Sequence, residues 1–173
     1  MSEARRGGYD SRSGEDPQAG DGQPAPGAKE EVDGGQQAPG GDSYAWYRRG
    51  LDLLSRGSPA AAAELLERAA EAEPGARSVR EALARAQFDA GRYAQAADSF
   101  RRNVEAIPSD DYAHFGLGLA LARCGDPAGA AEHLALAAAM RPDVRYYTQA
   151  LRGARATVRA RAASAAARRQ STP

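Results

Sequence analysis

The chain has 173 residues with 23 basic and 23 acidic side chains, so its formal net charge is zero and the total points to neither nucleic acid nor acidic substrates as partners. The charges are unevenly placed: residues 1–42 hold 4 Lys/Arg against 9 Asp/Glu, residues 43–143 hold 12 against 14, and residues 144–173 hold 7 against none. The single cysteine, Cys124, excludes an internal disulfide, and the longest apolar run, Leu134 to Met140, is far too short to span a membrane; with no apolar leader in residues 1–12, a reducing, cytoplasmic setting is expected.

Residues 1–42 contain ten of the 19 glycines and no Leu, Ile, Phe or Trp. A segment so poor in apolar surface cannot offset the entropy of ordering, about 1 kcal/mol per residue for the backbone, and a disordered acidic tail is expected. One globular unit remains. From residue 43 onward three marks keep one period of 34: Gly57, Gly91 and Gly125; Ala62, Ala96 and Ala130; Pro74, Pro108 and Pro142. Each glycine follows about a dozen residues of helical pattern and suits the left-handed position that closes a helix. Ser58-Pro59 and Asp126-Pro127 then read as an N-cap followed by a proline at the first helical position. The alanine permits close approach of two backbones, and the large residue four later (Leu66, Phe100, Leu134) fills the space beside it. The repeat proline ends the second helix. Helices are expected near 43–56, 59–73, 77–90, 92–107, 111–124 and 127–140. A seventh, near 143–168, would be capped by Asp143 and carry the apolar stripe Val144, Tyr147, Leu151, Ala154 and Val158.

These marks resemble the tetratricopeptide repeat family, whose pattern is W-x2-L-G-x2-Y, A-x3-F, then P over 34 residues. Trp46, Gly50, Ala62 and Pro74 carry the match in residues 43–76; Leu83, Ala96, Phe100 and Pro108 in 77–110; Leu117, Gly118, Leu121, Ala130 and Pro142 in 111–144, with His114 at the tryptophan place. The resemblance implies an all-α, right-handed superhelical solenoid of three hairpins, with residues 145–173 forming a basic capping helix and a frayed end. It also implies a concave groove that takes a peptide or protein segment, without catalysis or cofactor.

On the first helix, Tyr44, Tyr47, Leu51 and Leu54 share one face and Trp46, Gly50 and Leu53 another, about 110° away. One of the two must pack on the paired helix, leaving the other for the groove. The equivalent groove positions are Glu81 and Arg85 in the second repeat, read as an i, i+4 pair, then Tyr112, Phe115 and Leu119 in the third, and Tyr146 and Gln149 in the seventh helix. The tyrosines serve equally well as a binding surface or as packing between hairpins. The Lys, Asn and Arg with which some family members clamp a C-terminal carboxylate are replaced by Tyr47, Leu51, Ala82, Tyr112 and Gly116, so an acidic tail is a poor ligand and an apolar or aromatic-bearing segment a better one.

Arg145, Arg152, Arg155 and Arg159 form a separate basic stripe, with Arg161, Arg168 and Arg169 beyond. Such a stripe is the basis of an alternative reading, contact with nucleic acid or an anionic membrane. The lack of aromatic interleaving and of any base-reading motif argues against that alternative, and self-association remains open. No phosphate loop, nucleophile elbow or metal-ligand spacing occurs. His114 and Cys124 lie about 15 Å apart along one helix and cannot form a dyad, and His133 has no ligand at helical spacing. Asp110 and Asp111 read as caps rather than paired catalytic carboxylates, and Gly116-Leu-Gly118 as a packing feature.

Overall fold

The computed structural model describes residues 39–170, which form α1 (Pro39–Ser55), α2 (Pro59–Ala72), α3 (Arg77–Asp89), α4 (Tyr93–Ala106), α5 (Asp111–Arg123), α6 (Pro127–Met140) and α7 (Arg145–Gln170). No strand occurs among the described residues. The expectation of a disordered head falls on residues outside them, except that Pro39 to Asp42 belong to α1, where Asp42 in the first turn complements the helix's positive end.

The same local chemistry repeats in each hairpin. Gly57, Gly91 and Gly125 have φ of 72°, 76° and 87°, and the residue after each donates its N–H to a carbonyl in the last turn of the helix just ended: Ser58 to Leu53, Arg92 to Gln87, Asp126 to Leu121. That pair of features stops the first helix and turns the chain. Asp126 then caps α6 by accepting from the Gly129 N–H at 2.9 Å, and Asp110 caps α5 by accepting from Ala113 at 3.0 Å. Two expected caps differ. Ser58 precedes α2 but makes no side-chain bond, its shorter hydroxyl sitting on a backbone at ψ 60°, outside the extended region. Asp143 does not cap α7, which starts at Arg145; both carboxylate oxygens are instead taken by Arg141, at 3.0 and 2.9 Å.

Small-against-large contacts set the spacing of the helices. A Cβ on Gly50 would sit 2.7 Å from Leu66 Cγ, and one on Gly118 2.6 Å from Leu134 Cγ. Ala84, the equivalent residue of the middle hairpin, is fully buried in one cluster with Phe100. Phe100 also reaches the next repeat, where a Cβ on Gly116 would meet its ring at 2.4 Å. Ala62, Ala96 and Ala130 are all 0 % exposed. Each helix packs on its neighbours in the chain, and the odd-numbered helices also touch in series, α1 with α3, α3 with α5, α5 with α7. They make the inner layer. Tyr147, Leu151 and Ala154 bury the expected stripe of α7 against the third hairpin.

A polar strip at one end of the hairpins ties the first residue of each repeat to the end of that repeat or, in the third, to α7. Ser43, Arg77 and Asp111 open the three repeats and bond forward to Glu73, Asp110 and the Tyr147 hydroxyl respectively, the last two at 2.9 and 2.8 Å. The residue at the tryptophan place does a second job in two repeats: Arg80 donates to the carbonyl of Pro74 at 2.7 Å, and His114 Nε2 lies 3.1 Å from that of Pro108. Both bonds satisfy the carbonyl of a proline that lies just beyond a helix end.

Candidate functional site

Packing of the Gly50 face on α2 turns the other face of α1 toward the inner layer. Tyr47, Leu51 and Leu54 of α1, Ser78, Glu81, Ala82 and Arg85 of α3 and Tyr112 of α5 enclose a cleft of about 300 Å³. Arg85 and Tyr112 also border a second hollow of about 160 Å³, completed by Phe88, Asp89, Phe100, Phe115, Gly116 and Leu119. The two hollows therefore adjoin and run across three successive inner helices.

Tyr112 stands at their junction, half-buried and edge-on to Phe100 with ring centroids 6.1 Å apart. Burial pushes its phenol above the ordinary tyrosine value, Arg85 opposes that shift, and Glu81 and Asp89 add to it. The hydroxyl stays neutral and can donate a hydrogen bond. Arg85 has an acid four residues to either side, yet its ion pair, at 3.6 Å, is with Asp89 rather than with Glu81, the partner expected from the sequence. The guanidinium thus leans toward the negative end of α3 and leaves Glu81 on the cleft wall. The cleft has a charged middle between aromatic and aliphatic ends.

Phe115 and Leu119, which border the second hollow, also pack toward α7, while the remaining expected groove residues lie outside both hollows. Phe115 stacks on Tyr147 at 4.5 Å and meets Tyr146 edge-on at 5.2 Å, so its ring joins the third hairpin to α7. Leu119 packs against the cluster of Ala130, Leu134, Leu151 and Ala154. Tyr44, 62 % exposed, lines neither hollow, and Tyr146 is 55 % exposed at the far end. Gln149 does not join the cleft: α7 turns Tyr147 and Leu151 inward, which puts Gln149 on the opposite side, beside Arg145, Thr148 and Arg152.

Arg145, Arg152, Arg155 and Arg159 are exposed along that outer side. Arg161, grouped with them by sequence, serves the fold instead, since its Nη1 donates to the Gly125 carbonyl at 2.7 Å and pins α7 to the turn between α5 and α6. The contact between the two histidines was not foreseen from the sequence. His133 lies across the third hairpin from His114, with Nδ1 to Nδ1 at 3.0 Å, a meeting legible only once the two antiparallel helices are in register. Among the described residues no group of three or more His, Cys, Asp and Glu converges as a metal site would require, and no helix is long and apolar enough to cross a membrane.

The profile of the tetratricopeptide repeat family matches residues 47–111 and again 82–145. No curated protein sequence is matched by the chain. Among solved structures it is similar to the first such domain of human RPAP3 (TM-score 0.65, 17 % identity, covering 73 % of this chain and 99 % of that one). It is similar also to that of Spaghetti (RPAP3) bound to an HSP90 peptide, SRMEEVD (0.64, 17 %, 72 % and 98 %). A third likeness is to YrrB, described as a TPR protein with an unusual peptide-binding site (0.60, 23 %, 63 % and 56 %). At these identities the likeness is one of fold.

Proposed function

The chain belongs to the tetratricopeptide repeat family, and from that premise we propose that it is a non-enzymatic adaptor whose inner cleft binds a peptide or protein segment. The observation that carries the reading is the run of Tyr47, Leu51, Arg85 and Tyr112 along one continuous hollow contributed by three repeats. Rings with few rotatable bonds supply contact area at low entropic cost, and Arg85 and the neutral Tyr112 hydroxyl can hold a backbone carbonyl of an extended guest. The chemistry favours a segment with an apolar or aromatic side chain. Glu81 and Asp89 on the walls disfavour an acidic tail such as the one in the Spaghetti complex, and no Lys–Asn–Arg clamp stands at the matching positions. No cofactor is needed for such binding, and the lone, exposed Cys124 suits a reducing cytoplasmic setting.

The test is selection from a random peptide library, followed by affinity measurement with Leu51→Glu. Leu51 is 37 % exposed, so the substitution spares the core. Selected peptides should carry an aromatic or aliphatic anchor and lose at least about tenfold in affinity, roughly 1.4 kcal/mol, with melting unchanged. Equal affinity for both proteins would remove the cleft from the account. A second reading rests on the acid-free outer side of α7: contact with anionic nucleic acid or membrane through Arg145, Arg152, Arg155 and Arg159. It predicts binding that falls steeply with salt and survives Leu51→Glu.

A further inference from the structure

His114 and His133 are the chain's two histidines, and the third hairpin sets their rings 5.3 Å apart, tilted by 31°. His114 is 4 % exposed in the first turn of α5. A carbonyl only accepts, so the Nε2 of His114 that faces Pro108 at 3.1 Å carries a proton, and its Nδ1 in the neutral ring is a bare acceptor. The Nδ1 of His133, 3.0 Å away, must then be the donor. One added proton has a place to go, the Nε2 of His133, and the bond between the rings persists. A second added proton has only the Nδ1 of His114 left, where it meets the N–H of His133 head-on, with a positive charge on each ring.

We propose that this histidine pair is a proton-operated latch between α5 and α6, closed by one N–H···N bond and forced open when both rings become doubly protonated. The surroundings agree with the geometry. Burial holds His133 below its ordinary value, His114 and Arg101 of α4 add to that effect, and Glu132 of α6 opposes it; no charge from α3 or α7 contributes. Beside His114, the Asp110 carboxylate is already engaged by Arg77 and by the Ala113 N–H. In the unfolded chain the His133 ring takes up its proton near the ordinary value of about 6.5, whereas in the fold it does so only at lower pH, and the pair's second proton meets a blocked nitrogen. The unfolded chain therefore binds more protons in that interval. Stability is whole above about pH 6.5 and declines as pH falls toward the lowered His133 step. Because α5 carries Tyr112 and Phe115, opening the latch also loosens the cleft, and that consequence alone rests on the proposed function.

The full chain provides the test, since between about pH 7.5 and 5.5 carboxylates stay ionised and these two rings are the side chains whose ordinary value lies in the window. NMR titration should show His133 taking up its proton below the ordinary histidine value, and the melting temperature should drop by about 3 °C or more across the window. The double variant His114→Gln/His133→Gln should lose most of that drop whatever its own stability. A His133 ring titrating at the ordinary value, or a pH dependence that persists in the double variant, would overturn the latch. Neither readout involves peptide binding, so the latch and the cleft fail or stand separately.

Discussion

The second and third hairpins solve one packing problem with different side chains. In the second, Ala84 lies in one cluster with the flat ring of Phe100, and the tryptophan place holds Arg80, tied to Asn103 and to the Pro74 carbonyl. In the third, Gly118 faces the branched Leu134, and the same place holds His114, tied to His133 and to the Pro108 carbonyl. Two features are common: a small residue opposite a large one, and a donor for the carbonyl of the proline that ended the previous repeat. The lesson is that this fold fixes shape and hydrogen-bond satisfaction at these positions and leaves the residue type free, so the third hairpin can hold a titratable pair where the second holds a permanent cation.

The largest effect should come from Phe100→Ala. Phe100 is 2 % exposed and joins both hairpins, packing with Ala84 on one side and against Gly116 on the other. Chemical denaturation should show a loss of about 3–5 kcal/mol. A loss confined to the second hairpin by hydrogen exchange would mean that the repeats do not share an interior. Gly118→Ala comes next, because its Cβ would lie 2.6 Å from Leu134 Cγ and 3.1 Å from the Ala130 carbonyl. It should cost about 1–3 kcal/mol, and the added change Leu134→Phe, which copies the middle hairpin's flat ring, should recover part of that loss. No recovery would show that the backbone, not the branched side chain, sets the limit. The smallest effect is expected from Tyr147→Phe, which removes the bond to Asp111 while keeping the ring against Phe115: about 1 kcal/mol by denaturation, with the cleft unaffected.

Much of this was legible in the letters because it rests on local rules. The glycines at positive φ, the caps Asp110 and Asp126, the buried alanines and the stripe of α7 each answer to one residue's own conformational limits or to helical spacing. Tyr47, Leu51, Glu81, Arg85 and Tyr112 were brought together as helix faces predict. What escaped depends on choices among near-equal partners or on contacts across helices. Asp143 could cap a helix or pair with Arg141, and the two-point ion pair prevails; Arg85 had two acids within reach and took the one toward the helix end. Gln149 was assigned to the groove by repeat position, but α7 closes the stack and rotates to bury Tyr147 and Leu151. The forward ties from Ser43, Arg77 and Asp111 and the meeting of His114 with His133 span 19 to 36 residues, and no periodicity within one helix announces them.

The cleft exists only if successive repeats lean on one another, and the Phe100 ring packed on Gly116 is a close contact between two of them. Nuclear Overhauser effects between the Phe100 ring protons and the Gly116 α-protons measure it directly. The account predicts strong cross-peaks in the full chain. Their absence, with the helices of both hairpins still formed, would contradict it.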